Sequence, residues 1–228
     1  MSRGKEALAN HFGVDPDDID WEPRYNIAPT QQVLVIRQDR KQPIRHASAM
    51  RWGLIPHWAT DPAIGVQTIN ARSETIATKP AFRESIQKRR CLVPADGFYE
   101  WKRSTRVKQP FCFEVRSGEL FAFAGLWDRW RSSEGNLVES CTIVTTTPNR
   151  LLADIHSRMP VILSPADYDL WLDPGMTNVA AALDMLRPHD ASLMNGFPVS
   201  TRVNAVANDD AECSLRISIS QPAPLLFD

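Results

Sequence analysis

Paired cysteines are missing from this sequence: Cys91, Cys112, Cys141 and Cys213 form no Cys-x-x-Cys. Such spacing does not suggest a zinc site, and a disulfide framework is not expected in a chain of 228 residues without a secretion pattern. Each cysteine has apolar neighbours, which reads as a buried structural thiol. The five histidines are dispersed, with no His-Glu-x-x-His, so no metal centre is expected. No apolar run approaches the roughly 20 residues that span a bilayer. Met1 to Asn10 lacks the apolar core of a signal peptide, and the chain reads as cytoplasmic. Internal repeats and low-complexity linkers are also absent, so one domain over residues 1–228 is expected.

Net charge is equally sparse, at −1, but it is unevenly distributed. Trp21 to Pro110 carries 16 Lys and Arg against 7 Asp and Glu, a balance of +9, whereas Phe111 to Asp228 carries 8 against 15, a balance of −7. A basic half is the footprint expected for a phosphate backbone. It is equally the pattern of two halves that pack together through complementary charge.

What is abundant is proline: 17 of them, spread along the chain, point to short elements joined by turns. Helices are expected over Gly4 to Phe12, Pro80 to Arg90, Ser164-Pro165 to Trp171, and from a Thr177 cap to Leu186. Strands are expected over Gln32 to Arg37, Pro110 to Arg116, Leu120 to Leu126, Val138 to Thr147 and Met159 to Leu163, with turns at Ser117-Gly118 and Gly135-Asn136. Consecutive hairpins with helices at their edges predict an α+β fold, mainly an antiparallel, barrel-like sheet with short peripheral helices.

Four stretches are too specific for packing alone. The first is Arg24-Tyr25-Asn26-Ile27-Ala28-Pro29. The second runs from Met50-Arg51-Trp52-Gly53-Leu54-Ile55-Pro56-His57-Trp58 to Ile69-Asn70-Ala71-Arg72-Ser73-Glu74-Thr75. In the third, Arg90 to Trp101, an apolar strand breaks at Pro94 and Gly97 and resumes to present Glu100 beside Trp101. The fourth is Asp154-Ile155-His156-Ser157-Arg158-Met159-Pro160.

Together, in this order and spacing, the four stretches resemble the SRAP family (SOS-response-associated peptidase domain), from Arg24 to about Asn208. The resemblance implies an SRAP-like fold and a protein that binds single-stranded DNA and reacts with the ring-opened aldehyde of an abasic sugar, in a cytoplasmic, nucleoid-associated setting. In the family the nucleophile is an N-terminal cysteine, whose amine forms a Schiff base and whose thiol closes a thiazolidine. AP lyase chemistry branches from that Schiff base, and the peptidase label reflects self-processing. Matched residue by residue, Asn70 corresponds to the asparagine that orients the N-terminal residue and sugar. Glu100 corresponds to the acid/base carboxylate, His156 to the histidine that assists ring-opening, and Arg72 to a phosphate-binding arginine. Trp58, Trp101 and Pro29 fall in stretches resembling the DNA-facing groove. No metal, organic cofactor or membrane is implied, and a monomer is expected.

General chemistry is compatible with these roles. An α-amine, with a pKa of about 7.7–8.0, is partly neutral at physiological pH. Schiff-base formation sheds water and gains from a nearby group that trades protons. Aromatic faces suit unstacked bases and arginine forks suit phosphates. Each residue also has a plainer reading: Glu100 as a solvated strand residue, His156 as a core histidine, Asn70 as a turn cap, Arg72 as a partner of Glu74. Trp127 and Trp171 read as core.

The match departs at the start. The family begins Met-Cys-Gly-Arg and an aromatic; this chain begins Met1-Ser2-Arg3-Gly4-Lys5, so a few N-terminal residues are expected to be missing. No other cysteine can substitute, because the chemistry needs amine and thiol on one residue. The chain as written is therefore expected to form no stable covalent adduct. Two other classes stay open: a non-crosslinking single-stranded DNA binder, and a peptidase.

Overall fold

The computed structural model describes residues 1–38, 43–103 and 108–218; residues 219–228 of the expected domain lie outside the described ones. Five strands make a closed path. These are β1 (Gln32–Gln38), β2 (Arg45–Trp52), β4 (Arg90–Ala95), β7 (Phe121–Arg131) and β8 (Leu137–Thr146). They run β7-β4-β1-β2-β8, and β8 pairs back to β7 from Gly125↔Ile143 to Arg131↔Leu137, which closes the ring. Most pairings are antiparallel, as the hairpin pattern predicts. The two parallel ones bring β2 and the short β3 (Asn70–Arg72) against β8. The fold is α+β and ring-like.

Side chains alternate along each ring strand, so each serves two cores. Leu34, Ile36, Leu92, Ala122, Ala124 and Val144 face a core covered by helices α1 (Lys5–Phe12), α2 (Ser85–Lys88), α3 (Tyr168–Leu172) and α4 (Val179–Asp184). Val33, Val35, Val93, Phe121, Phe123 and Ile143 face the second core. Burial on both faces explains why these strands read as near-continuous apolar runs. Against the second core packs a three-stranded antiparallel sheet of β5 (Phe98–Arg103), β6 (Lys108–Val115) and β11 (Met194–Pro198).

Several expectations shift. Pro94 lies within β4, buried and opposite Ala122, so the chain turns only at Asp96-Gly97. The helix expected over Pro80 to Arg90 contracts to Ser85–Lys88, because Arg90 opens β4. The last cap is Asn178, whose side chain accepts from the Ala180 and Ala181 N–H groups, rather than Thr177. The strand expected over Met159 to Leu163 divides into β9 (Met159–Pro160), paired with β8, and β10 (Ile162–Leu163), paired with β7. Here the chain crosses from one ring strand to the next.

Candidate functional site

The Asp96-Gly97 turn lets β4 hand over directly to β5, which pairs with β6 so that Glu100 lies opposite Phe111. Phe98 and Glu100 share a face. Phe98 stacks on Phe113 at 5.4 Å and edges onto Phe123, which seats the strand on the second core and half-buries Glu100. His156 arrives on a compact turn. Asn149 accepts from the Leu151 and Leu152 N–H groups, and the His156 N–H donates to the Leu152 carbonyl at 2.9 Å. Leu152 and Ile155 anchor that turn in the same core.

The two side chains meet, with His156 Nδ1 3.7 Å from Glu100 Oε1. Nδ1 also lies 3.0 Å from the Arg158 carbonyl. With a proton, Nδ1 donates to that carbonyl; without one, it accepts from the Arg158 N–H at 3.3 Å, so either tautomer finds a partner. Burial pushes the Glu100 carboxyl above its ordinary value, and the opposing pull of His156 does not cancel it. A carboxyl raised by burial beside an imidazole is equipped for proton transfer.

The pair opens onto a cavity of about 370 Å³, lined also by Trp101, Lys108 and Asn204. Trp101 Nε1 donates to Asn204 Oδ1 at 2.7 Å. Asn204 comes from late in the chain, and the first motif holds it there. The buried Asn26 amide donates to the Val203, Ala205 and Asn208 carbonyls at 2.9–3.2 Å. Asp209 accepts from the Tyr25 and Asn26 N–H groups and pairs with Arg24. Arg24-Tyr25-Asn26 is thus a clamp that completes one wall of the cavity.

Asn70 and Arg72 sit exposed on β3, opposite Ile143 and Thr145. Arg158 ties this edge to the His156 turn. Its guanidinium forks onto Glu74 at 2.6 and 2.9 Å and donates to the Thr145 carbonyl at 2.6 Å. Glu74 is therefore the partner of Arg158 and not of Arg72.

Trp58 and Pro29 lie outside the cavity. Trp58 is 50% exposed on a loop pinned at the far end of β7, where Asp128 accepts from His57 at 3.0 Å and Trp130 donates to the Ala59 carbonyl. Pro29 is exposed in the turn that ends on the Thr30–Trp52 hydrogen bond. Sequence reasoning missed Lys108, Asn204 and Arg158. Arg158 stood inside the fourth motif and Asn204 in the late Pro198-Val199-Ser200 to Val203-Asn204 segment of the match, and both could have been singled out; Lys108 carries no local signal.

The N-terminus occupies a different cavity, of about 200 Å³. The Met1 ammonium donates to the Arg24 carbonyl at 2.7 Å and lies 3.4 Å from Asp96; Ser2 donates to Asp96 through both N–H and hydroxyl. Burial alone would raise the Asp96 carboxyl, but the ammonium and the two Ser2 donors hold it below its usual range. All four cysteines are buried and unpaired, as expected. Burial pushes the Cys112 thiol up to about 12 and raises Cys91 and Cys141 as well. None of the four lines the Glu100–His156 cavity.

A family model, SOS response associated peptidase (SRAP), matches residues 1–206. The chain belongs to the SRAP family. The SRAP relatives include the abasic site processing protein YoqW of Bacillus subtilis, 45% identical over 210 residues, which cover 91% of this chain and 93% of the relative. They also include the abasic site processing protein HMCES of Xenopus tropicalis, 32% identical over 236 residues, covering 91% and 70%. A solved structure from Bacteroides thetaiotaomicron superposes with a TM-score of 0.85 at 28% identity, over 96% of this chain and 98% of that one. One from Bordetella bronchiseptica reaches 0.75 at 29% identity, over 86% and 96%. Among the described residues, no group of three or more His, Cys, Asp or Glu could hold a metal, and no helix is long and apolar enough to cross a membrane.

Proposed function

We propose that this SRAP protein processes abasic sites in single-stranded DNA, receiving the sugar in the cavity of Glu100 and His156. The observation that carries the reading is that pair, a carboxyl raised by burial 3.7 Å from an imidazole. It stands in an open cavity beside the indole of Trp101. Ring-opening of a hemiacetal sugar needs a proton delivered to the ring oxygen and one removed from the hydroxyl, and the pair can do both. Asn70 orients the sugar from the neighbouring edge, and Arg72 holds a phosphate. Trp101 offers a stacking face, and Trp58 and Pro29 extend the DNA track. The names of the relatives support the substrate class.

A second reading, a lesion binder that does not crosslink, is favoured by one feature. The Met1 ammonium and Ser2 lie in the Asp96 cavity, and no thiol lines that of Glu100. A denaturing gel with single-stranded DNA carrying one abasic site separates the two. The chain as written is expected to give no heat-stable adduct, whereas the same chain extended by Met-Cys-Gly-Arg-Phe shifts the DNA. Glu100→Gln or His156→Ala in the extended chain should slow adduct formation by roughly 10²–10⁴-fold, the range of general acid–base catalysis. An extended chain that forms no adduct, while the unextended one still prefers abasic over intact DNA, establishes the binder instead. Equal binding to both DNAs removes the lesion from either reading.

A further inference from the structure

We infer that a second, cationic cleft at the opposite end of the strand ring binds the phosphodiester backbone of DNA away from the lesion; this rests on the DNA-binding reading above. The cleft has a volume of about 550 Å³ and is lined by Arg37, Lys88, Arg89, Arg90, Arg129 and Trp127, among others. It forms where β1 ends, β4 begins and β7 runs out, beside Glu139 near the start of β8. Arg72 lies opposite Thr145 near the other end of β8. At about 3.3 Å per residue, the two ends of that strand are roughly 20 Å apart.

Charge and donor count specify the ligand. Four of the five cations share three carboxylates, and the Asp173 charge stands near the fifth, Arg90. Glu139 accepts from both Arg37 and Arg129, at 2.9 and 2.6 Å. Asp128 is divided between His57 and Arg89, and Glu84 between Arg89 at 3.2 Å and Lys88 at 3.9 Å. Arg90 has no carboxylate hydrogen bond at all, its guanidinium being spent on backbone carbonyls. The cleft therefore keeps a net positive charge, and a guanidinium with five N–H donors is not exhausted by half a carboxylate. Arg129 and Lys88 are about half exposed, at 51% and 46%. Arg37 lies over the Trp127 ring at 4.5 Å, which fixes its planar fork at the cleft wall. Such a surface attracts anions in general; backbone phosphates, evenly repeated and bound without sequence or shape demands, suit it best.

Continuity favours DNA over a free phosphate compound. The chain from His57 to Asn70 links the two places. His57 touches Glu84 of the cleft at 3.6 Å and Asp128 at 3.0 Å, and the segment ends at Asn70 against Ile143. Trp58, half exposed, stands on that link. On this proposal a DNA strand leaving the sugar cavity follows that link, past Trp58, to the cleft.

Fluorescence anisotropy over a salt series tests this, with single-stranded oligonucleotides of about 6 and about 24 nucleotides, each with and without an abasic site. The Lys88→Ala/Arg129→Ala double variant removes two exposed cations outside the sugar cavity. For the long oligonucleotides the slope of log K against log salt should become shallower by about 1.4, at about 0.7 per lost phosphate contact, while affinity for the short abasic one stays unchanged. The Lys88→Arg/Arg129→Lys variant, which keeps the charges, should keep the slope and control for folding. An unchanged slope in the alanine variant overturns the proposal. So does thermal stabilisation of the parent by inorganic pyrophosphate, lost in the alanine variant without any change in the DNA slopes, which would assign a free phosphate ligand. If the parent binds abasic and intact DNA equally but the slope still falls, the cleft stands and the lesion reading fails.

Discussion

Asp96 illustrates how much one carboxylate can organise. It receives the Met1 ammonium and two donors from Ser2 while only 17% of its side chain is exposed. Its pKa is held down, so the stability it contributes is present above the carboxyl's unfolded value, about 3.9, and fades as pH falls through the lower folded value. Asp96→Asn should cost about 1–3 kcal/mol at pH 7, with the gap closing in strongly acidic solution; denaturant titrations at the two pH values would show it. A cost that stays constant with pH would mean the ion pair contributes nothing. Glu100 runs the other way. Its raised carboxyl is favoured in the acid form, so stability is lost as pH rises through its folded value. Glu100→Gln should therefore raise the thermal midpoint at neutral pH even as, on the proposed reading, it slows adduct formation by the extended chain, and a lowered midpoint would contradict the burial argument.

At the scale of elements, two features position the site without touching it. Arg90 enters β4 with its guanidinium buried among the C-terminal carbonyls of α2 and α3. It donates to Ile86, Gln87, Trp171, Asp173 and Met176 at 2.5–3.0 Å. Hydrogen bonds from a charged donor are worth more than neutral ones, and removing this one leaves several buried carbonyls unmet. Arg90→Met should cost roughly 3 kcal/mol or more and lower the melting temperature by about 6–12 °C, read by calorimetry. The other feature is the Gly53–Gly65 contact. Gly53 has φ +132°, and a Cβ there would meet the Gly65 carbonyl oxygen at 2.6 Å. Gly53→Ala should cost about 1–3 kcal/mol and displace the segment that carries Trp58 and leads into β3. Its DNA affinity should fall even where the protein stays folded. Unimpaired binding would show that this segment carries none of the DNA contacts.

Across the whole molecule, the charge imbalance runs partly through pairs between the two halves. Arg24, Arg37 and Arg45 of the basic half pair with Asp209, Glu139 and Asp169 of the acidic half, so part of the asymmetry is internal complementarity. Lys88 of the basic half and Arg129 of the acidic half stand about half exposed at the cleft. The halves are also interlocked by pairing: β4 with β7, β2 and β3 with β8, and Asn26 with the Val203–Asn208 segment. One cooperative unfolding transition is therefore expected, with equal calorimetric and van't Hoff enthalpies; two resolved transitions would divide the chain into separate domains.

The sequence by itself determined the local alphabet of this protein. Apolar and β-branched runs announced the strands, and Ser117-Gly118 and Gly135-Asn136 marked turns because glycine there takes positive φ. The four motifs carried the family, and Glu100, His156 and Asn70 with it. Only the tertiary structure decided which of these meet. Glu100 and His156 come together because two distant turns are anchored in one core, whereas Trp58 and Pro29, equally prominent in the motifs, lie outside their cavity. It also gave Arg24-Tyr25-Asn26 a clamping role rather than a chemical one, and it placed Asp96, silent in the sequence, against the N-terminus. The physical reason is that periodicity and turn chemistry are set by each residue's own backbone and near neighbours. The closing of the ring, the pairing of Arg158 with Glu74 and the gathering of Arg37, Lys88 and Arg129 depend on contacts between residues far apart in the chain, which no local pattern encodes.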